Sequence, residues 1–233
     1  MIQKTFETGP AQVPAIINSS EPHMALIFML DVSYSMAGTP INQLNAGLNR
    51  FKDEVCRYKP TKNILDVAVI AFNNSYEVVQ SFVPIEYMSH IQLECGGGTK
   101  YTAPIREALS MADERSRFYR RSGTEPFKPW IIMVTDGAPL DNITQVVSEV
   151  RDAQNSEKVH FVALGVGEYD PKALQRLTDT VIKMEGTDFT GFFDWVNQSV
   201  RSVSTTTPGE NPTLPKPEGN IAVIPREILM KTW

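Results

Sequence analysis

HMALIFMLDVSYS, residues 23–35, is the stretch on which the fold turns. From Met24 to Leu30 every side chain is apolar, which is the pattern of a strand covered on both faces, as in a parallel sheet sandwiched between helices. The run stops at Asp31, and Ser33 and Ser35 follow at alternate positions. Three small oxygen-bearing side chains thus cluster at the carboxyl end of a buried strand, where open parallel sheets bind their ligands.

Outward from this strand the pattern alternates. PINQLNAGLNRFKDEVCRY (40–58) opens with a proline suited to a first helical turn and repeats apolar residues at Ile41, Leu44, Leu48, Phe51 and Val55, a helical spacing. ILDVAVIAF (64–72) reads as a strand, and the turn cluster NNS leads at once into YEVVQSFVP (76–84). So short a link admits only an antiparallel hairpin. A helix over 102–121 carries Ile105, Ala108, Leu109 and Ala112 on one face, and the strand WIIMVTD (130–136) follows it. Next come a helix over 142–154, the strand KVHFVALGV (158–166), a helix opened by Asp170 and Pro171, a short strand VIKM (181–184) and an amphipathic helix over 189–203. The expectation is an α/β fold: a doubly wound, mainly parallel sheet of six strands with one antiparallel edge strand.

Three segments are expected: an N-terminal arm (1–22) with Pro10, Pro14 and Pro22, one domain over 23–204, and a Pro-rich linker and tail over 205–233. The apolar end IAVIPREILMKTW (221–233) either docks on the domain's own surface or serves as a docking peptide for a partner. The net charge of -5, from 22 basic and 27 acidic residues, leaves no basic excess for a phosphate backbone, so nucleic acid is not the expected partner. Neither a signal-peptide pattern nor a run long enough to cross a bilayer is present, and the expected location is cytoplasmic with no membrane partner. Cys56 and Cys95 have neither a metal-binding spacing nor that of a secreted framework, and both are expected as reduced thiols.

Three sequence features end at the same edge of the sheet: Asp31, Ser33 and Ser35 after the first strand, Thr135, Asp136 and Gly137 after the fourth, and GGGTKYT (96–102) before a helix, with Thr99 and Thr102 on a glycine loop. Asp, Ser and Thr offer hard oxygen donors that suit Mg2+, Mn2+ or Ca2+, and no His or Cys cluster accompanies them to favour zinc. With two carboxylates and neutral hydroxyls, such a site remains able to accept another anionic oxygen from outside.

DVSYS, the threonine of GGGT and the aspartate of VTDG, in that chain order, resemble the metal-ion-dependent adhesion site of the von Willebrand factor A (VWA) family, over roughly residues 24–204. The resemblance implies a six-stranded sheet with an antiparallel third strand. It also implies that Ser33, Ser35 and Thr99 coordinate a divalent cation directly, that Asp31 and Asp136 do so directly or through water, and that a partner protein's Glu or Asp completes the shell. Within the family the chain is similar to the bacterial TerY-like branch, which implies a role in tellurite resistance or stress signalling and kinase- or phosphatase-associated partners. It departs in having Tyr34 where many members have glycine; this side chain either packs or forms a rim contact for the partner.

Rival readings attach to the same residues. Asp31 and Ser33 could cap a helix, and GGGT could cradle phosphate, although it lacks the lysine and spacing of a P-loop. A metal-dependent phosphohydrolase, or a subunit of an ATPase-driven complex, are the functional alternatives. None of His23, His90 and His160 is placed as a general base, His160 reads as a core or sheet residue, and Lys100 and Lys128 read as solvated, so no catalytic residue is expected. Arg115, Arg117, Arg120 and Arg121 suit the helix dipole at the end of their helix, or else form an acid-binding face. Trp130, Phe192, Phe193 and Trp195 are expected in the core.

Overall fold

The structure is a computed structural model that describes residues 21–210 and 212–224. The expected N-terminal arm, apart from Glu21 and Pro22, and the tail beyond Ile224 lie outside the described residues.

The apolar run that ends at Asp31 forms β1 (Met24–Asp31), buried at every position. Its alternate side chains enter two different cores. Leu26, Phe28 and Leu30 join one with Leu44, Leu48 and Phe51 of α1 (Thr39–Val55) and Phe192 and Val196 of α6 (Thr190–Ser204). Ala25, Ile27 and Met29 join the other with Ile105, Ala108 and Ala112 of α3 (Thr102–Arg121) and Val146 and Val150 of α4 (Thr144–Asn155). An unbroken apolar strand is therefore the sequence record of a sheet with helices on both sides.

The remaining elements are α2 (Lys59–Ile64), β2 (Leu65–Phe72), β3 (Tyr76–Pro84), β4 (Trp130–Thr135), β5 (His160–Val166), α5 (Pro171–Leu177), β6 (Thr180–Met184) and β7 (Ile221–Val223). The sheet order is β3-β2-β1-β4-β5-β6-β7. Strands β2, β1, β4, β5 and β6 run parallel, while β3 pairs antiparallel with β2 through the short hairpin. Trp130, Phe192, Phe193 and Trp195 are buried as expected. Among the described residues, no helix is long and apolar enough to cross a membrane.

Three expectations need correction. The sheet has seven strands, not six, because β7 pairs antiparallel with β6 and makes the second edge antiparallel too. Ile221 fills the core, the Asn220 amide donates to the Glu185 and Asp188 carbonyls, and Trp195 Nε1 donates to the Pro215 carbonyl at 2.9 Å. The described part of the tail thus docks on the domain's own surface. Second, the helix expected over 40–58 ends at Val55, and Pro60, which cannot continue a helix but can begin one, opens α2. Third, Arg115 does not serve a solvated last turn: it is 3% exposed and pairs with Asp66 of β2 at 2.7 Å.

Candidate metal centre

The carboxyl ends of β1 and β4 lie side by side, Leu30 being in register with Val134, so Asp31 and Asp136 emerge close together. A chain of hydrogen bonds joins them. The Ser33 N–H donates to Asp31 Oδ1 at 2.8 Å, the Ser33 and Ser35 hydroxyls lie 3.0 Å apart, and the Ser35 hydroxyl donates to Asp136 Oδ1 at 2.7 Å. Thr135 holds the other oxygen of Asp31 through its hydroxyl at 2.6 Å. Asp31 and Ser33 are buried whereas Ser35 is exposed, so the cluster runs from a dry floor to an open rim.

Thr99 reaches the same place from a third segment. Its hydroxyl lies 3.2 Å from where a Cβ on Gly137 would stand, beside Asp136, and the side chain is buried. Glycine at 137 leaves room for that approach. The loop carrying Thr99 is fixed by backbone bonds on both sides: the Gly96 N–H donates to the Val32 carbonyl, the Tyr34 N–H to the Gly97 carbonyl, and the Leu140 N–H to the Thr99 carbonyl. Gly97 has φ +80, a conformation that favours glycine. Asn73 and Asn74 complete the cradle by bonding the Gly96 carbonyl and the Gly98 N–H.

All five expected site residues therefore converge on one end of the sheet. Thr102 does not join them: its N–H and that of Tyr101 donate to the Asp141 carboxylate, and its hydroxyl turns to the Asn142 carbonyl. Sequence reasoning assigned no role to Thr135, Tyr101 or Asp141. Tyr101 is wholly buried and donates to the Gly137 carbonyl at 2.6 Å, while Asp141 supplies the anion at the start of α3. An acid a few residues beyond Asp136 was the available signal for the last of these. Tyr34, for which packing was one reading, is 72% exposed and lies on the rim.

The electrostatics suit a cation. Burial pushes the Asp31 carboxyl above its usual range, against the hydrogen bonds from Thr135 and Ser33, and the charge of Asp136 adds to the rise. Burial likewise raises Asp136, against bonds from Ser35 and Ser33. Neither forms an ion pair with a basic side chain among the described residues. Two desolvated carboxylates without a counter-charge are costly together, and a bound cation removes that cost. The donors are all oxygen, and no group of three or more His, Cys, Asp or Glu suited to a metal occurs among the described residues. The donor set fits a hard divalent ion and not a thiolate or imidazole site.

Comparison with known proteins agrees with the architecture. The family model for the von Willebrand factor type A domain matches residues 25–193. No curated protein matches the sequence. Among solved structures, the von Willebrand factor type A protein from Catenulispora acidiphila is similar with a TM-score of 0.61 at 16% identity, over 78% of this chain and 43% of its own. The pilus adhesin SpaC from Lactobacillus rhamnosus GG, in its open conformation, gives 0.65 at 15% identity, over 78% and 30%. The ArnB paralog VWA2 from Sulfolobus acidocaldarius gives 0.52 at 17% identity, over 76% and 45%. The matched region is less than half the length of each of these chains, and at such identities the likeness is one of fold.

Proposed function

The chain belongs to the von Willebrand factor type A family, whose domains are commonly metal-dependent interaction modules, and on that premise we propose that it binds a protein partner through a divalent cation. Ser33, Ser35 and Thr99 would hold the ion with their hydroxyls, and Asp31 and Asp136 would balance its charge directly or through water. Magnesium is the ion we favour, with manganese or calcium able to replace it. A cation held there supplies a Lewis-acidic position for the carboxylate of a partner Asp or Glu.

The single observation that carries this reading is the hydrogen-bonded chain from buried Asp31 through Ser33 and exposed Ser35 to Asp136, with Thr99 against Gly137. Its buried end anchors the Asp31 carboxylate, and its open end, at exposed Ser35 and half-buried Asp136, leaves room for an incoming ligand. The neutral hydroxyls add no charge, so an external carboxylate is attracted. The histidines support a non-enzymatic reading, because His23 lies beside Asp66, His90 pairs with Asp53 and His160 packs on Trp130, all apart from this cluster.

The narrower proposal is membership of the TerY-like branch, with a cytoplasmic location, kinase- or phosphatase-associated partners and a part in tellurite resistance. Loss of the gene should then sensitise its host cell to tellurite.

The decisive experiment pairs calorimetric titration with Mg2+ and affinity capture in Mg2+ or chelator. Wild-type protein should bind one cation and release its captured partner on chelation, while folded Thr99→Ala protein should do neither. Capture that is indifferent to chelator defeats the reading.

A further inference from the structure

Two large apolar side chains stand in solvent beside the candidate metal centre. Tyr34, between Ser33 and Ser35, is 72% exposed, and Leu140, on the loop after Asp136, is 69% exposed. Scattered exposed apolar residues are ordinary on a protein surface. These two differ in being held by the loops that carry the metal ligands.

The Tyr34 N–H donates to the Gly97 carbonyl and its own carbonyl accepts from the Ala37 N–H within a 3-10 turn (Tyr34–Met36). The Leu140 N–H donates to the Thr99 carbonyl, and the next residue, Asp141, is tied to the backbone of Tyr101 and Thr102. Leu140 Cδ1 lies 2.5 Å from where a Cβ on Gly98 would stand. The two side chains therefore bracket the glycine loop, Tyr34 anchored at Gly97 and Leu140 lying over Gly98. A backbone fixed on both sides loses little further freedom on binding, which is the condition under which an exposed aromatic or aliphatic group contributes most to an interface.

We propose that Tyr34 and Leu140 form the apolar contacts of the partner-binding surface, and that the partner presents its acidic residue on a segment with apolar side chains next to that acid. The inference rests on the metal-dependent reading above and specifies its partner. A polyacidic stretch or a small free carboxylate would leave both groups uncovered, whereas an apolar flank removes them from water in the same event that delivers the carboxylate.

The test uses the full chain and synthetic nine-residue peptides with a central Glu, flanked by Leu and Phe, by Ser and Gly, or by further Glu. Binding is measured in Mn2+ and in chelator. In Mn2+ the apolar-flanked peptide should bind at least about tenfold more tightly than the other two. Tyr34→Ser and Leu140→Ser should each remove most of that advantage, about tenfold, while calorimetric Mn2+ affinity stays that of wild type. Equal binding of all three peptides, no binding of any, or an undiminished advantage in both variants overturns the proposal. If wild-type protein binds no Mn2+ and the preference for apolar flanks persists in chelator, still dependent on Tyr34 and Leu140, the metal reading fails and the surface assignment stands.

Discussion

Arg115 and Asp66 meet at 2.7 Å with both side chains almost wholly out of water. The same carboxylate accepts a hydrogen bond from the Tyr119 hydroxyl and lies 3.7 Å from His23 Nδ1. Nε and Nη1 of Arg115 have no hydrogen-bond partner, so its charge depends on this one acid and on the rings of Phe82, Phe118 and Tyr119. This pair ties α3 to β2 and thereby positions the helix whose first turn follows the Thr99 loop.

Removing the acid strands a buried cation. Asp66→Asn should destabilise the protein by about 3–5 kcal/mol in urea unfolding. Arg115→Met should cost less, since Asp66 retains Tyr119 and His23. The reverse order of cost would show that packing and not charge dominates here.

Acid should expose the same pair. Burial alone would raise the Asp66 carboxyl, but His23, the Arg115 charge and the Tyr119 hydroxyl outweigh it and hold it below its usual value. A carboxylate depressed in the folded state contributes stability above its unfolded pKa of about 3.9 and loses it as pH falls through the folded pKa. Asp66→Asn should therefore flatten the unfolding free energy below about pH 4.

His160 acts at higher pH. Burial, then the charge of Lys128, lowers its pKa to about 4, and Nε2 is sealed without a partner even though the residue is partly exposed as a whole. Protonation favours the unfolded chain, so stability is full above about pH 6.5 and falls between there and pH 4, by at most about 2 kcal/mol at pH 5. His160→Phe, which preserves contact with Trp130, should remove that slope while leaving neutral stability within about 1 kcal/mol.

Cation binding should read out as stability. For a ligand that binds only the folded state, 100-fold excess over Kd adds about 2.7 kcal/mol. Mg2+ or Mn2+ should raise the thermal midpoint of wild type and leave Asp136→Asn unmoved. Without metal, Asp136→Asn should be at least as stable as wild type, since it relieves the repulsion with Asp31. A midpoint that rises equally in both proteins would place the ion elsewhere.

The seventh strand should matter out of proportion to its length. Ile221→Ala removes a side chain only 3% exposed and should cost about 2 kcal/mol. Amide exchange should quicken at Glu185 and Ile224, whose N–H groups donate to the Asn220 and Val181 carbonyls. Unchanged exchange at both would mean that the strap contributes nothing to the edge.

What the sequence revealed followed from period and order. The continuous apolar run before Asp31 required two covered faces, the NNS link required a hairpin, and hydroxyls and carboxylates at strand ends had to meet because parallel strands finish together. Long-range partnerships left no such trace. Arg115 shares its helix with Arg106, Arg117, Arg120 and Arg121, and nothing local distinguishes the one that turns inward to Asp66. A strand as short as β7, arriving after a proline-rich crossing, is too brief to display alternation. Tyr34 was ambiguous for a related reason, because its exposure depends on the Gly97 carbonyl that fixes its backbone.

The antiparallel pairing of β7 with β6 also fixes the direction of traffic through the domain. The described chain enters β1 at the pole opposite Asp31, and β7, running against its neighbour, carries it back toward that pole. Among the described residues, the chain thus enters its first strand and leaves its last on the side of the sheet away from the oxygen cluster, which keeps both edges of that cluster clear of the described termini.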